Sequence, residues 1–218
     1  MTISFPRDLP SSRIASCRIR LERMIARRPL RGGGPQAVEI GSPLWVADFE
    51  TAALSRAQAG LWESWLDTLR GGTQLFKARD PRRSYALRSP AGYEGLAVAG
   101  GSTPFSGSGT LSAVGGGGAT VTIGGLPASF EISVGDQLSI AYAGRQHFHR
   151  VSDGAISNGA GSATVSVEPL VLPGYATGEA VLLLRPWFLA SVDESSIEVS
   201  ADINGRTQVR FSASQVFA

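Results

Sequence analysis

Short alternating runs broken by glycine-rich turns recur along most of this sequence, and that pattern restricts the chain to a mainly β fold. Residues 15–25, ASCRIRLERMI, place Cys17, Ile19 and Leu21 on one parity and Arg18, Arg20 and Glu22 on the other. A period of two gives a strand one dry face and one wet face. The tract RGGGP at 31–35 ends that run. A second run covers Ala37–Phe49, with Val38, Ile40, Leu44 and Val46 as apolar points and Gly41-Ser42-Pro43 interrupting it.

One helix stands out, predicted over 55–70. Ser55 and Gln58 have the spacing of a capping box, in which each side chain satisfies a free backbone N–H of the first turn. Ala57, Leu61, Trp62, Trp65, Leu66 and Leu69 follow at three- and four-residue steps and predict one apolar face. Gly71-Gly72 supplies a left-handed stop. At helical spacing the two tryptophans read as anchors against a sheet. Thr73–Ala78 then reads as a strand and Asp80-Pro81-Arg82-Arg83 as a turn.

From Ala91 the texture changes. Gly, Ser, Ala and Thr dominate 91–118, and short strands follow at Thr120–Ile123, Leu138–Ala143, His147–Val151, Ala163–Val167 and Ala180–Leu184. Turns at Gly124-Gly125, Gly135-Asp136 and Asn158-Gly159 separate them, which is the pattern of a small barrel or sandwich. The end of the chain returns to the first texture. Trp187–Val192 and Ser196–Ile203 alternate, Asn204-Gly205 is a two-residue hairpin signal, and Arg206–Phe217 sets Val209, Phe211 and Ala213 on one parity.

The expected architecture is therefore discontinuous: residues 1–90 plus 186–218 as a β-sandwich domain carrying the helix, and 91–185 as an inserted Gly-rich β-domain. Insertions succeed where the two ends leave the host close together on its surface.

Composition narrows the function classes. Net charge is only +2, yet Arg7, Arg13, Arg18, Arg20, Arg23, Arg27, Arg28 and Arg31 crowd the start against Asp8 and Glu22. The alternation makes them the wet face of strands. Apart from Phe5 no aromatic is interleaved, so nucleic-acid binding is not expected. Cys17 is the single cysteine, so no intrachain disulfide forms. The start MTISFPRDLP predicts no secretory signal, and no run approaches the roughly 20 apolar residues of a membrane helix.

No catalytic, cofactor or metal residues are expected. His147 and His149, the only histidines, share a strand face by their i, i+2 spacing. With Asp153 or Asp136 they fall short of a closed four-ligand zinc site. A triad would have to recruit one of those two histidines, and no G-x-S-x-G elbow occurs. Glu131, Asp136, Asp193, Glu194 and Glu198 offer carboxylates, but nothing singles out a pair. The tract Gly115–Gly118 is followed by the β-branched ATVTI and not by a helix N-terminus, so it is no phosphate cradle. Tyr142, His147, Phe148 and Tyr175 are the aromatics available for stacking on sugars, and they motivate an alternative reading as a carbohydrate-binding β-module.

The ordered set Ser42-Pro43-Leu44-Trp45 to Phe49, Leu54-Ser55, Leu69-Arg70-Gly71-Gly72, Phe76 and Asp80-Pro81-Arg82-Arg83 resembles tail proteins of long-tailed, siphovirus-like bacteriophages. Gly135-Asp136-Gln137-Leu138 and Val165–Leu172 are similar to their second half. The family resembled is the distal tail protein, with another tail hub or tube component as the alternative. The resemblance implies a tail-tip ring, six subunits around, made by a β-sandwich with a helix while a variable β-domain projects. Its implied partners are copies of itself and tail-tube and tail-tip hub proteins; a host-surface glycan, bound through the inserted domain, is the partner of the carbohydrate-binding alternative. Its implied place is the virion, after synthesis in the bacterial cytoplasm, and it brings no catalytic residues.

Overall fold

The computed structural model describes residues 3–10, 13–29, 34–142, 145–203 and 205–217. The chain is mainly β with one α-helix and a closed six-stranded antiparallel barrel. It divides into two units, residues 1–76 with 190–218 and residues 77–189.

The first unit begins with β1 (Arg7–Asp8), β2 (Ile14–Glu22), β3 (Ile25–Pro29), β4 (Pro35–Glu39) and β5 (Leu44–Thr51), then α1 (Arg56–Thr68) and β6 (Phe76–Ala78). The inserted unit holds β7 (Ser108–Gly115), β8 (Thr120–Gly124), β9 (Glu131–Ile132), β10 (Gln137–Tyr142), β11 (Arg145–Asp153), β12 (Ala155–Ile156), β13 (Ala163–Glu168) and β14 (Ala180–Leu182). The chain then closes the first sheet with β15 (Phe188–Val192), β16 (Glu198–Ala201) and β17 (Thr207–Gln215).

That sheet has seven strands in the order β1-β6-β15-β17-β5-β2, with β16 also paired to β17. Strands from both ends of the chain are thus interleaved: β17 lies directly against β5, Phe211 opposite Phe49. Alternation decides the faces. Trp45, Ala47, Phe49, Val209, Phe211 and Ala213 are buried on one face, where Phe211 meets Trp62 and Trp65 of α1. Asp48, Glu50 and Arg210 take the opposite face.

The helix starts where its cap predicts. Ser55 Oγ accepts from the Gln58 N–H and Gln58 Oε1 from the Ser55 N–H, so both arms of the capping box form. Trp62 and Trp65 are buried and form an aromatic cluster with Phe76 and Phe211, their ring centroids 5.1–6.2 Å apart. The Trp65 indole N–H donates to Asp8 O at 3.0 Å, which satisfies the one polar atom of that ring. Two residues expected on this face are not there. Leu61 is 65% exposed, Ala57 is exposed, and Ala59 is buried instead. The helix ends at Leu69, and Gly72 (φ 91°) must be glycine: a Cβ there would lie 2.5 Å from Ser191 Oγ and Val192 O.

The run 15–25 is two strands and not one. β2 stays in the sheet, whereas β3 pairs only with β4 among the described residues. The second run divides likewise at Gly41-Ser42-Pro43 into β4 and β5. The tract Arg31–Gly33 lies outside the described residues.

The barrel order is β10-β11-β13-β8-β7-β14, and its closure leaves no open edge. Leu111, Val121, Ile123, Leu138, Ile140, Val165 and Val181 fill it. Of the barrel and sandwich alternatives for the insert, the barrel is the one adopted. The expected boundaries of 90/91 and 185/186 differ from the observed 76/77 and 189/190. Residues 77–90 carry little strand pattern, yet Leu87 N–H donates to Asp136 Oδ1 at 2.7 Å and Ala86 joins the barrel core.

The last hairpin is looser than its Asn204-Gly205 signal predicts. Ala201 pairs with Thr207, which leaves five connecting residues, and Asp202 Oδ1 accepts from the Arg206 N–H at 2.8 Å. Asn204 lies outside the described residues, as does Ala143 at the predicted end of β10.

Candidate functional site

Two surfaces gather the residues that sequence patterning singled out. The first is the polar face of the seven-stranded sheet. β2 offers Arg18 and Arg20, β5 offers Asp48 and Glu50, and β17 offers Gln208, Arg210 and Ser212, because all stand at alternate positions opposite the core face. Arg20 pairs with Asp48, which also accepts from Ser212 Oγ at 2.7 Å. Glu50 Oε1 accepts from Arg210 Nη2 at 2.9 Å and Gln208 Nε2 at 2.7 Å. Off this sheet, Arg23 bridges Glu39 of the β3–β4 ribbon at 3.1 Å. Exposed pairs of this kind contribute roughly 0–1 kcal/mol each, so their weight is in registering strands and presenting a charged face. The arginine clustering was legible in the sequence. Its partners Asp48 and Glu50 were not, although the charge alternation of ADFE at 47–50 is the signal that finds them.

The second surface is one end of the barrel. His147 and His149 share a strand face, as their spacing implies. That face is the inward one: His149 pairs with Leu138 and His147 with Ile140, both core residues. His149 is 2% exposed. Its Nδ1 lies 2.8 Å from Pro169 O. A carbonyl only accepts, so Nδ1 carries the hydrogen and Nε2 is the bare acceptor; buried, it has no hydrogen-bond partner among the described residues. Burial holds the imidazolium off, lowering the His149 pKa to about 4 against the partial support of the Pro169 carbonyl. Burial, and then Arg145, lower His147 as well.

Tyr142 and Tyr175 complete this end. Their rings stack at 4.7 Å, and His147 stands edge-on to both at 5.5 and 5.4 Å. Burial raises the Tyr175 phenol. A cleft of about 280 Å³ lined by Val114, Gly117, Gly118, Val171, Leu172 and Tyr175 opens beside them. Phe148 does not belong to the group. It pairs with Ser139, points out of the barrel, and is buried against Phe188 at 5.4 Å. Of Gly115–Gly118, Gly115 ends β7 and Gly116–Gly118 form a 3-10 turn leading into β8, with no α-helix behind it.

The acidic candidates are dispersed into structural tasks. Asp136 accepts from the Leu87 and Ser133 N–H groups at 2.7 and 2.8 Å, and burial raises its pKa. Glu131 bridges Arg88 at 3.0 Å. Asp193 caps the turn containing Glu194 by accepting from the Ser195 N–H at 3.0 Å, and Glu198 is exposed on β16. Among the described residues no three His, Cys, Asp or Glu side chains converge as a metal-ligand set, and Asp136 and Asp153 do not join the histidines in one. Cys17 is buried in β2. Among the described residues no helix is long and apolar enough to cross a membrane.

No protein-family model matches the chain, and no curated protein matches it either.

Proposed function

We propose that this chain is a non-enzymatic structural protein of a bacteriophage virion, a distal tail protein whose copies form a ring joining the tail tube to the tip hub. The observation that carries this reading is topological. Strands from both ends of the chain share one sheet under a single helix, and a closed barrel is inserted between them. This is the layout implied by the resemblance that the ordered motifs from Ser42 to Arg83 carry. The polar face of the sheet supports it further, because ring subunits meet through two different surfaces and charge complementarity sets their register.

Size-exclusion chromatography with light scattering, followed by negative-stain imaging, tests the reading. A ring of six subunits that binds tail-tube protein is the expected result. A monomer at every concentration that also fails to bind tube or hub proteins overturns it.

A second reading, a carbohydrate-binding module, rests on the Tyr142, His147 and Tyr175 cluster beside its cleft. Aromatic rings at a cleft can stack on sugar faces. A glycan array probed with the whole protein and with Tyr175→Ala decides it: hits lost in the variant support the reading, and an array without hits removes it. The two readings are compatible, since a ring subunit can carry a binding domain.

A further inference from the structure

The β3–β4 ribbon is the least self-sufficient part of the first unit. A lone two-stranded ribbon is marginal in water unless something covers it. Among the described residues these strands pair only with each other. Their register sets Ala26 opposite Val38 and Arg27 opposite Ala37. One face therefore carries Met24, Ala26, Val38 and Ile40, with Arg28 and Gln36 at its far end, while the other carries Ile25, Arg27, Ala37 and Glu39. Met24, Val38 and Ile40 are 58%, 50% and 67% exposed. An apolar stripe on an otherwise bare ribbon marks an interaction surface.

A surface of matching chemistry lies elsewhere on the same unit. β16 pairs with β17 on one side, and among the described residues nothing pairs with its other edge. On β16, Val199 and Ala201 take one face and Glu198, opposite Arg210 of β17, takes the other; all three are exposed, as are Asp202 and Ile203 just beyond the strand. Apolar meets apolar and Arg27 meets acid when β3 lies alongside β16.

A chain cannot make this contact with itself. The ribbon leaves the sheet where Glu22 pairs with Leu44. β16 pairs with the Thr207–Arg210 half of β17, beside Glu50 at the far end of β5. Six residues of strand separate those ends, roughly 20 Å at about 3.3 Å per residue, with β17 and β5 also intervening. The five-residue ribbon strands span only roughly 16 Å.

We propose that the β3–β4 ribbon of one copy adds its β3 edge to the β16 edge of the next copy, extending the neighbour's sheet. Strand addition of this kind takes affinity from main-chain hydrogen bonds and specificity from the flanking side chains. The contact is heterologous, so repeated copies make a ring when the rotation closes and an open filament when it does not. The inference rests on the ring reading for closure alone.

Charge reversal and crosslinking test it on the full chain. Arg27→Glu and Glu198→Arg each weaken assembly about three- to ten-fold, in line with one cross-strand charge pair per contact, and the two changes in one chain restore it. Mixed Ala26→Cys and Val199→Cys proteins form a heterodisulfide under mild oxidation. Assembly that ignores both reversals, or Ala26→Cys crosslinking only to itself, overturns the ribbon contact while leaving the ring reading in place. Restored assembly and the heterodisulfide in open filaments without rings keep the contact and overturn the ring. A protein monomeric at every concentration with no heterodisulfide overturns the contact and leaves the ring reading to tube-protein binding.

Discussion

His149 Nδ1 donates to Pro169 O across 2.8 Å while its Nε2 lies buried without a partner among the described residues. The bond orients a neutral ring inside the barrel, and protonation of Nε2 has no acceptor to receive it.

Acid sensitivity follows from that pair. In the unfolded chain the imidazole takes a proton near its usual 6.5, but in the fold only near 4. Between those values the unfolded state holds more protons, so stability is full above pH 6.5 and is lost as pH falls toward 4. From pH 7 to pH 5 the loss is about 2 kcal/mol for this one group. His147, also lowered, adds to it in the same direction. Urea denaturation at the two pH values measures the loss, and His149→Leu shrinks the difference.

Trp62 and Leu61 are neighbours in sequence with opposite weight. Trp62→Ala empties the space between α1 and Phe211 and costs about 3–5 kcal/mol, as large-to-small core changes do. Leu61→Ala, on the exposed flank, stays within about 0.5 kcal/mol. Chemical denaturation of both variants checks the contrast.

Asp136 is a structural carboxylate with two backbone donors to satisfy. Asp136→Ala orphans the Leu87 and Ser133 N–H groups and destabilises the barrel by about 2–5 kcal/mol. Asp136→Asn keeps one acceptor oxygen and costs less. Thermal unfolding of the two variants ranks them, and equal melting points would contradict this role.

Legibility in the sequence followed the range of the determining forces. The Ser55–Gln58 cap is local, and so the helix start could be read directly. Leu61 could not, because how far a helix flank is covered depends on the width of the sheet beneath it. Period two is the same for a packed strand and a bare ribbon, so Cys17 and Ile19 in the core looked no different from Ile25 and Val38 outside it. The spacing of His147 and His149 gave their shared face. It gave no sign that this face is the inward one, since the alternate residue Phe148 is itself apolar and buried. The domain boundary was misplaced by the chain between Lys77 and Pro90, whose ties to the barrel run through Tyr93, Asp136 and the Arg185 N–H bond to Ser84 O rather than through any strand pattern. For function, the residues showed no converging site, and the ring reading came from the order of short motifs.

Assembly through the interleaved sheet is read from the native mass of the purified full chain over a concentration series, with negative-stain images of the largest species. Closed rings of six subunits that bind tail-tube protein are the expected result. A monomer at every concentration, unable to bind tube or hub proteins, would contradict it.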